Sequence, residues 1–272
     1  HSFIFFLFCN ILSLIIFKFK NLIFSPIICL ALILMIGISH GSLDHIKGRK
    51  LLNILNIENI IIFYLFYILI AITIIIFWIL LPTFSLIIFL IIASFHFGKE
   101  DTQFLISKNS FLNEFLFFLK GALIILSPLY FHFDETISIF KILLIENENF
   151  YSSLSFIEKN RILMIGILLS TLSNIVLFLR EFEIKKFTLF FDYFSILILN
   201  YYFSPLVAFT IYFCFLHSIR HIISLIFEID ENNFNNGFRI FMKKALPLTL
   251  LTTIFCLISI YLLNNSYDLD NS

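Results

Sequence analysis

The residues best suited to chemistry in this chain are its histidines, because they fall at related places along apolar stretches. There are seven: His1, His40, His45, His96, His132, His217 and His221. His217 and His221 stand four apart in Cys214-Phe215-Leu216-His217-Ser218-Ile219-Arg220-His221. On a helix that spacing stacks them on one face with about 5 to 6 Å between Cβ atoms, close enough to share a metal. His40 and His96 each close an apolar run, and His45 follows in the loop after His40. A single membrane histidine can equally serve as a hydrogen-bonding group between helices. Four imidazoles from three helices at one depth (His40, His96, His217 and His221) point to a metal. His132 belongs to the opposite face and cannot join them.

A ligating imidazole usually donates its other N–H to a carboxylate or carbonyl, which fixes its tautomer. Asp44 follows His40 by four residues and Asp101 follows His96 by five, so both are candidates for that role. Each is equally readable as a solvated loop charge. Asp192 lies inside an apolar run, where an unpaired carboxylate is costly and needs a donor, and Arg220 is one candidate donor. Arg220 can also extend to the headgroups. Imidazole ligands suit Fe, Zn, Cu or Ni. Four histidines would close a tetrahedral zinc site, whereas iron of higher coordination number would keep a position open for oxygen or water.

The elements that position these residues are membrane helices. Of 272 residues 60% are hydrophobic and only 13% charged, against about half and a quarter in ordinary soluble domains. Polar residues form short islands between apolar runs of spanning or near-spanning length. The runs are 3–17, 22–39, 60–81, 84–97, 112–131, 162–179, 187–203, 205–227 and 245–263, which predicts an all-α polytopic membrane bundle of eight or nine helices. The only break between 60 and 97 is Leu81-Pro82-Thr83, a tight helical hairpin, because proline removes a donor and disfavours helix in the residue before it. Tyr201 to Pro205 reads the same way. The long connection from His132 to Arg161 carries an apolar patch, Ile137 to Ile145, expected as a short interfacial helix. No repeat or separating linker appears, so residues 1–272 are expected to form one helical domain.

If the runs alternate across the membrane, eleven Lys and Arg collect on one side and five on the other. The richer side is expected to be cytoplasmic. The histidine cluster approaches that side. Net charge is zero and no long basic block occurs, which argues against a nucleic-acid partner. Cys9, Cys29, Cys214 and Cys256 stand singly without CxxC spacing and read as packing residues. Thirty-nine Phe fill positions too indiscriminately to carry functional weight. The chain starts with His1 and not Met, so the start is expected upstream, with 3–17 either a signal peptide or a shortened first helix.

The segments His40-Gly41-Ser42-Leu43-Asp44-His45, His96-Phe97-Gly98 followed by Asp101, and His217-Ser218-Ile219-Arg220-His221 resemble, in order, the three signature motifs of the Brp/Blh family of bacterial β-carotene 15,15'-dioxygenases. The resemblance implies an all-helical, membrane-embedded enzyme of the bacterial inner membrane. It implies cleavage of the central double bond of β-carotene with O2 to two retinal molecules, for use by a rhodopsin-type proton pump. It also implies Fe(II) held by His40, His96, His217 and His221, with His45 a neighbour and no catalytic residue beyond the ligands. Asp44, His45, Asp101, Asp192 and Arg220 remain the supporting candidates. A long uncharged polyene dissolves in the bilayer, so a bilayer-embedded enzyme can take it laterally. Phe95, Phe97, Phe213 and Phe215 flank the ligands, and lipid or helix contact explains them equally well.

Three other classes compete. A di-iron desaturase needs about eight histidines and an HxxHH box, which this chain lacks. A haem-binding electron carrier with His96 and His217 or His221 as axial ligands leaves the His40 motif unexplained. A proton-coupled transporter built on Asp192 and Arg220 would carry mid-span Gly or Pro breaks, and the breaks here fall at helix ends.

Overall fold

A computed structural model describes residues 1–18, 25–37, 43–106, 110–143, 147–180 and 183–266, with the backbone alone at 46, 47 and 260–266. It is all helix, with no strand among the described residues. Among the described residues six helices are long and apolar enough to cross a membrane, and the stretches 2–18 and 26–37 form shorter apolar helices. This makes the chain an all-α membrane protein. The run at 187–203 yields the fifteen-residue helix Thr188–Tyr202, which carries the buried Asp192. At 1.5 Å per residue it reaches about 22 Å, short of the roughly 30 Å hydrocarbon core. The expected hairpin is present: helix Ile60–Leu80 ends, Leu81 is non-helical, and Pro82 opens helix Pro82–Glu100 at a position where its missing N–H costs nothing. Pro205 restarts the chain in the same way after Tyr202. The 132–161 connection forms two helices, Phe133–Ile142 and Glu148–Lys159.

By contacts the chain divides into two compact units, residues 1–24 with 67–217, and residues 25–66 with 218–272. In the first, α1 (Ser2–Lys18) packs on α2 (Thr188–Tyr202), with Phe3 and Phe6 both against the Phe191 ring. The tightest seam joins Pro82–Glu100 to Phe111–Phe131. A Cβ on Gly98 would lie 1.8 Å from the Phe117 carbonyl oxygen, and one on Gly121 would lie 1.8 Å from that of Ser94. Only glycine permits this approach, which is how small residues let membrane helices pack backbone to backbone. Ile162–Leu179 lies on the other side of Phe111–Phe131, and Lys186, itself buried, donates to the Leu177 and Arg180 carbonyls at its end. A cation there satisfies carbonyls that have no helical partner.

In the second unit the core is Leu43, Leu225, Ile226, Phe241 and Ala245. Helices Asp44–Ile54 and Ile219–Ile229 are joined by a Lys50–Glu228 ion pair, and Phe234–Ser266 packs on Ile219–Ile229. None of the four cysteines is in a disulfide among the described residues, and Cys9, Cys29 and Cys214 are buried, as packing residues would be.

Candidate active site

Two pieces of local chain geometry build the site. Helix Pro82–Glu100 delivers His96 near its end and is capped by Asp101. On the span 205–229 the helix widens into a π turn over Tyr212–Ser218. Residues five apart on a regular α-helix diverge by about 140°. The i→i+5 bonding of a π turn brings them back to one face. Tyr212 and His217 are such a pair, and both reach Asp101.

The carboxylate of Asp101 takes both its oxygens to this segment. The Tyr212 hydroxyl donates to Oδ2 at 2.6 Å, and His217 Nδ1 lies 3.2 Å from Oδ1. Asp101 is 4% exposed and His217 1%. A buried ionised carboxylate is acceptor only, so the geometry calls for the Nδ1–H tautomer of His217. That turns the Nε2 lone pair, also buried, toward any ligand. Asp101 is therefore no solvated loop charge.

Aromatic rings complete the wall around His217. His96 meets it ring to ring at 5.4 Å, the Phe97 edge stands at 4.8 Å, and Phe213 stacks nearly parallel at 5.8 Å. Phe209 stacks on Phe213 in turn. Phe215 instead meets Phe8, and Lys99 sits over Phe95. From His96, Phe97 and Tyr212 a cavity of about 410 Å³ opens between Pro82–Glu100, Phe111–Phe131, Phe133–Ile142 and the start of the 205–229 span. Leu86, Thr136 and Asn200 also line it. From His96 back to Leu86 the helix rises about 15 Å.

Asp192 has an ion-pair partner in Lys120, whose ammonium lies 3.9 Å from Oδ2 with both side chains buried. Lys120 also donates to Thr102 Oγ1 at 2.7 Å and stands 3.5 Å from the Asp101 carbonyl. The network thus runs from Asp192 through Lys120 to the loop that carries Asp101.

Among the sequence candidates, the first unit brings together His96, His217 and Asp101, and links Asp192 to them through Lys120. His221, buried, and Arg220 lie on Ile219–Ile229 of the second unit, where Asp44 and His45 open helix Asp44–Ile54. His40 lies outside the described residues. His132 sits at the far end of Phe111–Phe131, its Nδ1 3.7 Å from Glu135. Sequence reasoning missed Tyr212 and Lys120 as site residues. The signal for Lys120 was available, since an intramembrane lysine is functional by default. For Tyr212 there was none, because a π turn is not legible as a pattern.

Among the described residues no group of three or more His, Cys, Asp or Glu side chains is placed as a metal would need. The donor chemistry at His217 nonetheless fits one: a buried imidazole with its tautomer set by a carboxylate and a second imidazole beside it.

Fold and site together define a membrane-embedded helical protein with a carboxylate-oriented imidazole, His217, against a second imidazole, His96, that lines an apolar cavity. The family model for β-carotene 15,15'-dioxygenase matches residues 31–272, and the chain belongs to that family. A β-carotene 15,15'-dioxygenase from uncultured marine bacterium 66A03 is 31% identical over 193 residues, covering 71% of this chain and 66% of the relative, just under two thirds of its length. No solved structure matches.

Proposed function

We propose that this protein cleaves β-carotene at its central 15,15' double bond with O2, giving two molecules of retinal. The observation that carries the reading is the position of His96: it lines the apolar cavity and touches the His217 ring, so a polyene with one half in the cavity brings its central double bond beside the imidazole pair. Family membership supports the same chemistry, and so does the name of the relative. The reaction balances with one O2 per carotene, one oxygen atom going to each aldehyde.

His40, His96, His217 and His221 would hold Fe(II), which when bound supplies the binding and activation of O2. The chain's own residues do the rest. Asp101 holds His217 in one tautomer and one orientation, and Tyr212 satisfies the carboxylate's second oxygen so that it does not turn away. Phe97 and Phe213 clamp the His217 ring. The cavity wall is almost wholly apolar, which excludes water and matches the substrate. The protein would lie in the bacterial inner membrane with the site toward the cytoplasmic side, its retinal passing to a rhodopsin-type proton pump.

The test is expression in bacteria that accumulate β-carotene, followed by chromatography of the extracted pigments. Loss of β-carotene with appearance of retinal, abolished by His217→Ala, is the expected result. Survival of β-carotene with the protein inserted and iron supplied would overturn the reading.

A further inference from the structure

The buried Lys120 is not needed to bind a polyene or to hold a metal, yet its ammonium is surrounded by polar partners. It projects from Phe111–Phe131 close to the seam where Gly98 and Gly121 bring two backbones into contact. There its ammonium meets three things at once: the Asp192 carboxylate of Thr188–Tyr202, the Thr102 hydroxyl, and the Asp101 carbonyl. Thr102 is fully buried and Asp192 is 1% exposed. Asp101 and Thr102 form the turn that ends Pro82–Glu100, and the Asp101 side chain leaves that turn toward Tyr212 and His217. The turn is thus held from behind by Lys120 and from the front by the π segment.

We propose that Lys120 is a positioning residue for the site: anchored by Asp192, it fixes the Asp101–Thr102 turn so that the Asp101 carboxylate stays against His217 Nδ1. A purely structural ion pair would only keep two opposite charges from being buried alone, and removing both charges together would then be harmless, as replacement of buried pairs by neutral groups often is. The positioning role differs in its consequence. When Lys120 and Asp192 are both made neutral, the charges are balanced but the turn has lost its donor. Asp101 can then shift away from His217, and the imidazole samples both tautomers.

The inference rests on the proposed carotene-cleavage reading only for its kinetic readout. The experiment uses the full chain and compares wild type, Lys120→Met, Asp192→Asn and the double variant Lys120→Met/Asp192→Asn. Membrane insertion and thermal unfolding report folding, β-carotene cleavage reports kcat and KM, and the 15N resonances of His217 report the tautomer. The single variants leave one charge alone and are expected to fold poorly. The double variant is expected to insert and unfold like wild type, with KM little changed, kcat lowered roughly 10- to 100-fold as for outer partners of ligating groups, and His217 no longer confined to the Nδ1–H form. A double variant with wild-type kcat and a single Nδ1–H tautomer overturns the proposal and leaves Lys120 a structural ion pair. If wild type forms no retinal, the cleavage reading fails, and the tautomer comparison alone still decides: a mixed tautomer in the double variant supports the positioning role, and an unchanged one overturns it.

Discussion

Tyr212 and His217, five residues apart on a π turn, bind the two oxygens of the same buried carboxylate, Asp101. The turn is what makes the pair possible, since a regular α-helix would point them in different directions. An irregular helix at this place costs some backbone regularity, and the gain is a rigidly aimed imidazole. π turns recur at functional sites for this kind of reason.

The first prediction concerns that carboxylate. Asp101→Asn offers a single acceptor oxygen where the carboxylate offers two, so it cannot serve Tyr212 and His217 as the native group does. Cleavage should fall about 10- to 100-fold, mostly in kcat, with Tyr212→Phe milder because only one donor is lost. Steady-state kinetics on purified protein checks this, and equal activity of Asp101→Asn and wild type would remove Asp101 from the site.

A second prediction separates the histidines. His96→Ala and His217→Ala should abolish retinal formation while the protein still inserts. His132→Ala should be nearly silent, since it lies at the far end of Phe111–Phe131 with Glu135 as its neighbour. Pigment chromatography from carotene-producing cells reads all three, and retained activity in either of the first two would exclude that residue from the proposed metal site.

The seam of Pro82–Glu100 with Phe111–Phe131 supports a third. A methyl group on Gly98 or Gly121 would stand 1.8 Å from a facing carbonyl oxygen, and backbone cannot step aside as a flexible side chain can. Gly98→Ala and Gly121→Ala should each destabilise by about 1–3 kcal/mol or more, the usual cost of overpacking. Thermal unfolding in detergent measures it, and an unshifted midpoint for both would show that the helices do not approach so closely.

Outside the membrane, Asp230 accepts from the side chain of Asn236 and from the backbone N–H groups of Asn233 and Asn232 at the entry to Phe234–Ser266. The Asn236 hydrogen bond is the main cause that holds its carboxyl below the usual carboxylate range, with the two backbone bonds assisting. A depressed folded value means the stabilising effect is complete above the ordinary aspartate value and is lost as pH falls through the depressed one. Hydrogen exchange at the amides of Asn232 and Asn233 should accelerate, relative to the intrinsic rate, as the solution is acidified through that window. Asp230→Asn should remove the pH dependence, and an identical profile in that variant would refute the assignment.

Much of this architecture is readable from the chain. Pro82 and Pro205 mark helix starts because proline at the first helical position loses nothing, and the apolar runs end where polar islands begin. The three histidine motifs are equally visible. What sequence spacing leaves open is which partners meet. Asp101 follows His96 by five residues, yet its carboxylate serves His217, 116 positions away. Asp192 has the Lys120 ammonium beside it, a pairing of residues 72 positions apart that no spacing announces. Both pairings depend on which faces of neighbouring helices touch, and that is decided by the Gly98–Gly121 contact and by the π turn, neither of which leaves a periodic trace.

The central claim is tested most directly with purified, iron-loaded protein, β-carotene and 18O2, following products by chromatography and mass spectrometry at short times. The account predicts two retinal molecules per β-carotene consumed, each carrying one oxygen from O2 before exchange with water, and loss of the reaction when iron is removed with a chelator. A single long apocarotenal, unlabelled aldehyde at the earliest times, or unchanged turnover after iron removal would contradict it.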